Sequence, residues 1–441
     1  MQSLNEWLTL QFRHSAQAIL RSVSASSITK IRAGFGQRIT PKPGSVVASP
    51  VPGAYDPEPD YFFHWFRDSA LVIDALRLLY SRGDPGADAL RGQFADFVNF
   101  SLELEHLDGA RLVSTPGWRE RFAADYLQYV RSDEELAAVR GPRVAADTRV
   151  NPDGSLDVSR WARPQHDGPP LRALCVLRWL RDARFDAETT AAAHTLLQHD
   201  LAFTLQHWSR PCFDTWEEEL GLHYYALRVS AAALDLGSQW LGQRGDTMAR
   251  DCSAAAQSAL ARLDAYWDAS SGYLRSRVLS DGRVSTKQLD ISVVLAAVHV
   301  DGDGAHTAAD PRLLATLAKL EALFDGAYAI NRNRPPGQGV AMGRYQGDVY
   351  FSGGAYFFST LGAAELCYRA ALHSSDPRGL IACGDAFMQT VRRFTPEGGD
   401  MSEQFDQNDG APRSAQQLAW SYAGLISSVT ARNAALSQIG E

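Results

Sequence analysis

The sequence predicts an all-α chain, and three observations carry that prediction. Apolar residues recur at helical spacing in roughly twelve segments. Strand-like alternation is rare. Helices of similar length alternate along the chain, which suits an α/α toroid of six hairpins. Leu4, Trp7 and Leu8 open the first stripe, continued by Ala16, Ile19 and Leu20. Leu90, Phe94 and Phe97 make a second, Leu171, Leu174 and Leu177 a third, and Leu197, Leu201 and Leu205 a fourth. Many of the segments are rich in Ala, which favours helix and close helix–helix contact.

Long stretches dense in Gly, Pro and aromatic residues separate the helices, at 41–60, 105–120, 140–170, 325–350 and 395–413. Such loops are uncommon in a compact domain unless they serve a function. The Pro-rich segment PKPGSVVASPVPGAYDPEPD follows too little helix to divide off a domain. We therefore read residues 1–441 as one domain, with 1–60 an N-terminal helix and a Pro-rich loop leading into it. RSDEELAAVR reads as a solvated helix face with Glu and Arg placed for local pairing.

Of the 441 residues, 45% are hydrophobic and 21% charged, so a large core is available. The net charge is −8, without a run of Lys or Arg, which argues against a nucleic-acid or anionic-membrane surface. No stretch of about 18 apolar residues offers a membrane span. The N-terminus MQSLNEWLTLQFRHSAQAIL lacks a basic start and a continuous apolar core, so a cytoplasmic protein is expected. Five scattered cysteines without a CxxC pair suggest neither a disulfide framework nor a zinc site.

Five segments combine aromatics, Arg and carboxylates where a long loop meets a helix. They are YFFHWFRDSALV, RWARPQHDGPPLRAL, FDTWEEELGLHYYAL, GRYQGDVYFSGGAYF and SEQFDQNDGAPRSAQQLAWSYA. A sugar site needs this mixture. Aromatic faces cover the C–H faces of a pyranose, and charged groups give directional hydrogen bonds to its hydroxyls. Glycoside cleavage adds two carboxyl groups, one protonated beside the leaving oxygen and one ionised. Taken singly, each segment has a plainer reading. Trp-Glu-Glu can be a dipole-favoured first helical turn, Ser402 with Gln404 a capping loop, and Arg67-Asp68 a structural ion pair. His64, His166 and His223 are isolated and lack metal-ligand spacing, and no nucleophile elbow or phosphate loop is present.

Together and in this order, the five segments resemble glycoside hydrolase family 15, the glucoamylases, from about residue 61 to 424. The resemblance implies an (α/α)6 barrel whose inner-helix loops form a blind pocket. It implies Glu217 as general acid and Glu403 as general base of an inverting, exo-acting hydrolase that releases β-glucose from α-gluco-oligosaccharides. Arg67 and Asp68 match the pair that grips the terminal glucose, and Tyr61, Trp65, Trp161 and Trp216 match the aromatic wall. Glu218 and Arg344 match residues around the cleavage point, with Glu218 facing the leaving sugar, and Tyr350 lies in the corresponding aromatic segment. No metal or organic cofactor is implied.

Within that mechanism we expect Trp216, Glu218 and Glu219 to favour a protonated Glu217, and Gln404, Tyr61 or backbone donors to keep Glu403 ionised. Three positions depart from the family's pattern. Glu219 replaces an apolar residue, Tyr356 a Trp, and His166 an Arg, all expected near the leaving-group side. With no linker or starch-binding module in view, a short oligosaccharide is expected, with isomaltose-type or trehalose substrates open. Rival classes are a sugar epimerase, which would need paired histidines, and a non-catalytic carbohydrate-binding protein.

Overall fold

The computed structural model describes residues 2–53, 58–83, 86–351 and 353–440. Residues 54–57 of the Pro-rich stretch and Ser352 of the fourth motif lie outside the described residues. In chain order the long helices are α1 (Leu4–Leu20), α2 (Phe66–Ser81), α3 (Ala87–Leu104) and α4 (Gly168–Asp182). They continue with α5 (Ala187–His207), α6 (Tyr224–Gly242), α7 (Met248–Leu263) and α8 (Ser292–Val298). The last four are α9 (Pro311–Ala327), α10 (Phe357–Ala371), α11 (Pro377–Phe394) and α12 (Ala419–Gln438).

The even-numbered helices form a closed ring. Helix α2 packs on α4, α4 on α6, α6 on α8, α8 on α10, α10 on α12, and α12 back on α2. An outer helix covers each: α3 on α2, α5 on α4, α7 on α6, α9 on α8, α11 on α10, and α1 on α12. The chain is an (α/α)6 barrel. Burial follows from this arrangement. Inner helices are enclosed on all sides, so every residue of α8 and all of α10 but Arg369 are buried. Outer helices bury one stripe, as α11 does with Ile381, Phe387 and Val391.

Helix starts differ between the two rings. Ser3, Asp186, Asp310 and Asp376 cap the outer helices α1, α5, α9 and α11 with side-chain oxygens that accept from backbone N–H groups. None of the six inner helices has a side-chain cap. Inner-to-outer connections can be as short as 183–186, whereas outer-to-inner ones run as long as 105–167. The long loops therefore gather at the end where the inner helices begin. Strands of two to four residues tie them together there, among them Cys212–Phe213, Leu220–His223 and Arg277–Leu279 in one small sheet.

Two sequence expectations change. Helix α1 is no lead-in; it is the outer partner of α12 and closes the ring across the two ends of the chain. RSDEELAAVR does form a short helix, Asp133–Ala137, opened by a Ser132–Glu135 capping box, but Arg131 is buried and pairs with Asp147 at 3.0 Å. The structure thus uses Arg131 chiefly to anchor the loop, while Glu135 still feels its charge without a direct ion pair among the described residues.

Ile19 is fully buried and its neighbour Leu20 is 41% exposed, so the role of α1 can be tested by a pair of variants. Ile19→Ala is expected to cost about 2–5 kcal/mol in urea denaturation and Leu20→Ala under about 1 kcal/mol. Equal small losses would mean that α1 does not seal the barrel.

Candidate active site

At the loop end of the barrel a hollow is lined by Tyr61, Trp65, Arg67, Asp68, Trp216, Glu217, Arg344 and Glu403, all singled out in the sequence. Thr215, Phe358 and Trp420 line it as well. Tyr61, Thr215, Trp216, Glu217, Arg344 and Glu403 lie on the loops that lead to inner helices, whereas Trp65, Arg67, Asp68, Phe358 and Trp420 lie just before or in the first turns of those helices. The positive ends of the helix dipoles favour carboxylates there, and uncapped N–H groups leave that field open.

The floor is an ionic knot. Arg67 lies 3.3 Å from Asp68, 3.4 Å from Asp167 and 3.5 Å from Glu217. Asp167 precedes α4, and it reaches Arg67 because Gly168 lets α4 approach α2: a Cβ on Gly168 would lie 2.5 Å from Cβ of Phe66. Burial would lower the affinity of Arg67 for its proton, but the three carboxylates outweigh it and hold the guanidinium charged. Burial pushes Asp68 up to about 6, since Arg67 is shared and Glu217 adds repulsion. Asp68 Oδ2, Arg67 Nε and Thr215 Oγ1 are buried and make no hydrogen bond among the described residues. Each such group costs about 1–3 kcal/mol, which a ligand hydroxyl can recover.

Glu217 sits at the tip of the hairpin that pairs Cys212 with Gly221 and Phe213 with Leu220. It does not open a helix, as a Trp-Glu-Glu first turn would. Its φ is +66°, a left-handed conformation disfavoured for a Glu. The turn holds because Asp214 O accepts from Glu217 N at 2.9 Å, and Asp214 Oδ1 accepts from Glu218 N and Glu219 N at 2.7 and 2.9 Å. The Trp65 indole N–H donates to Glu217 Oε1 at 2.8 Å, and that of Trp161 donates to Oε2. Trp161 is thus the rim of the pocket, half-exposed.

The expected neighbours of Glu217 are turned away. Glu218 accepts from the Tyr345 hydroxyl at 2.6 Å, Lys287 at 2.5 Å and Arg344 at 3.2 Å. Glu219 pairs with Arg277 at 2.9 Å and accepts from Ser285 at 2.7 Å. Trp216 donates to Asp290 at 2.9 Å and stacks toward Phe358 and Trp420, whose rings lie 4.3 Å apart. Like-charge pressure from Glu218 and Glu219 is absorbed by those cations, so the environment of Glu217 is set by Trp65, Trp161 and Arg67 instead.

Glu403 faces the same hollow. Tyr61 donates to its Oε1 at 3.2 Å and Ser414 to its Oε2. The Gln404 side chain donates to the Tyr350 carbonyl at 3.0 Å and the Tyr356 hydroxyl at 2.8 Å. Tyr350 stands behind Tyr61, its hydroxyl 2.8 Å from that of Tyr61. Burial pushes Glu403 up to about 7, with Ser414, Arg344 and Tyr61 opposing.

Two of the departures from the family's pattern lie away from the hollow. Tyr356 is fully buried and donates to Asp348 at 3.1 Å, behind the Arg344–Asp348 pair. His166 packs against Phe203 and His207 on the barrel's flank, its burial pushing it down to about 4. Burial likewise lowers His64 to about 3 and His223 to about 4, which leaves both neutral framework residues. The sequence reading did not single out Asp167, Thr215, Phe358, Ser414 or Trp420 as site residues. Trp420 had a signal, since it occupies the first turn of α12 as Arg67 and Asp68 do in α2.

Two carboxylates facing one aromatic-walled hollow on an α/α barrel are the arrangement a glycoside-cleaving site needs. The family model for Glycosyl hydrolases family 15 matches residues 29–103, 149–382 and 374–430, and the chain belongs to that family. Glucoamylase 1 of Rhizopus oryzae is 26% identical over 479 residues, covering 98% of this chain and 71% of its own length. An intracellular sporulation-specific glucoamylase of Saccharomyces cerevisiae is 25% identical, covering 99% and 86%. Among solved structures, the family 15 glucoamylase of Hypocrea jecorina superposes with a TM-score of 0.81 at 23% identity, covering 98% of this chain and 73% of that one, a likeness of fold.

Burial of Glu403 has a stability signature. Its raised value favours the protonated folded form, so that contribution is complete below pH 4.5 and is lost as pH rises through about 7. Glu403→Gln is expected to gain stability relative to the parent between pH 4.5 and 8, by up to about 3 kcal/mol, in urea titrations at each pH. A pH-independent difference would contradict the burial argument.

Proposed function

We propose that the protein is an inverting, exo-acting glucosidase that releases β-D-glucose from the non-reducing ends of α-1,4- or α-1,6-linked gluco-oligosaccharides. The observation that carries this reading is that Glu217 and Glu403 face one hollow closed by Arg67, Asp68, Phe358 and Trp420. An exo-acting enzyme of this kind takes the chain end into that hollow. The names of the relatives, glucoamylases, support an α-glucan substrate.

In this mechanism the terminal glucose lies on the Trp216, Phe358 and Trp420 faces, with its hydroxyls on Asp68 and Arg67. Glu217, as general acid, gives a proton to the glycosidic oxygen as the bond from C1 to that oxygen breaks. A water on the opposite face of the ring forms the new bond to C1 and passes a proton to Glu403. Tyr61 and Ser414 hold both oxygens of Glu403 so that it stays aimed at that water. Hydrogen bonds from Asp68 and Arg67 hold the ring as it flattens toward an oxocarbenium ion. The five cysteines, all free thiols, support a reducing compartment.

Incubation with maltose, isomaltose, panose, starch and trehalose tests the reading, with glucose release expected from at least one. Glu217→Gln and Glu403→Gln are each expected to lower kcat by about 10²–10⁴-fold on that substrate while ligand binding persists. Full activity in either variant would remove its residue from the mechanism.

The pH profile gives an independent check on Glu403. Ser414 lowers the proton affinity of Glu403, so Ser414→Ala is expected to move the acid limb of kcat/KM to higher pH. An unmoved limb would mean that another group titrates there.

A further inference from the structure

We infer that Cys367 and Cys383 are a paired dithiol, a site of oxidation that closes to a disulfide and staples the outer helix α11 to the inner helix α10. Sixteen residues separate the two in the sequence, a distance that carries no motif. In the fold the Cys367 thiol donates to the Cys383 sulfur at 3.4 Å. Cys175, Cys212 and Cys252 are buried elsewhere in the barrel.

The packing of the two helices fixes the thiols opposite each other. Gly384 lies against Tyr368, the residue after Cys367: a Cβ at 384 would come within 2.5 Å of the tyrosine Cε1. A larger residue there would push α11 away from α10. The Tyr368 hydroxyl donates to Asp385 at 2.7 Å, and Arg432 of α12 donates to the same carboxylate at 2.6 Å. Cys383, Gly384 and Asp385 are thus set in register against Cys367 and Tyr368. The gap left to close is about 1.3 Å, from 3.4 Å to the roughly 2.05 Å of a sulfur–sulfur bond.

Cys383 is half-buried and Cys367 fully buried, so an oxidant in water meets Cys383 first. The hydrogen bond from Cys367 lowers Cys383 below the ordinary thiol value, against burial and the Glu321 carboxylate, and favours its thiolate. With hydrogen peroxide, the Cys383 thiolate attacks one oxygen. The S–O bond forms, the O–O bond breaks, and the departing hydroxide takes a proton from solvent as water. The Cys367 sulfur then attacks the Cys383 sulfur. The S–S bond forms, the S–O bond breaks, and the second hydroxide leaves as water with the Cys367 proton. Two electrons pass from the thiols to one peroxide. The bond closes the turn between α10 and α11, and so secures the inner helix that carries Phe358 to the hollow.

Peptide mapping of the folded protein tests the proposal, because Arg369 and Arg378 place the two cysteines in separate tryptic peptides. After treatment with hydrogen peroxide, alkylation of the remaining thiols and digestion, those two peptides are expected joined, two hydrogens lighter than their sum. The joined form is expected to unfold about 3 °C higher, from the chain entropy that a loop of this size removes, and dithiothreitol to reverse both changes. Cys367→Ser and Cys383→Ser are each expected to lose the joined peptide and the rise in Tm. Peroxide that leaves both thiols free, or that carries Cys383 to the sulfinic acid without a joined peptide, would overturn the proposal. So would joining between two chains, seen as a dimer on a non-reducing gel, or a joined peptide with an unchanged Tm.

Discussion

The pocket depends on one buried guanidinium. Asp68 in the same helix turn, Asp167 before α4 and Glu217 in the hairpin before α6 converge on Arg67, and without it three carboxylates would share a site almost closed to water. Helix dipoles help, but their contribution is typically below about 1 kcal/mol each, too little to hold three buried anions. Arg67 therefore sets where the loops before α4 and α6 must end. A ring of inner helices with uncapped starts is the scaffold that permits this. Four of its outer partners, capped by Ser and Asp in water, bear the ordinary cost of starting a helix.

A second knot fixes the other side of the site. Arg277 pairs with Asp214 at 3.1 Å, with Glu219 at 2.9 Å and with Asp290. Asp214 holds the hairpin tip on which Glu217 adopts its left-handed conformation, and Asp290 holds the Trp216 ring. Strain at Glu217 is thus sustained by charges that never touch the hollow. The arrangement divides labour between the paired glutamates. Glu217 is aimed into the pocket by two indoles, while Glu218 is saturated by a tyrosine, a lysine and an arginine at its edge.

Much of this was legible from residue order alone. Periodicity locates the helices because burial in a two-layer ring imposes it, and the five mixed aromatic–charged segments fall at five of the six places where long loops enter inner helices. Eight of the residues named from those segments line one hollow. What periodicity cannot carry is side-chain direction. Glu217, Glu218 and Glu219 are consecutive and chemically alike, yet a turn with positive φ sends them to three different partners. Gln404 was an expected donor to Glu403 and Ser414 was not; the strand that pairs Gln404 with Tyr356 puts the Gln404 side chain on Tyr350 and Tyr356, and Ser414 donates instead. Helix α1 read as an appendage because its partner, α12, lies at the opposite end of the chain.

The central claim is that Glu217 and Glu403 act from opposite faces of one sugar ring, with a water between the ring and Glu403. Proton NMR of the first glucose released from an α-linked substrate, recorded before mutarotation, tests this most directly. The account predicts the β-anomer; an initial product in the α form would contradict it.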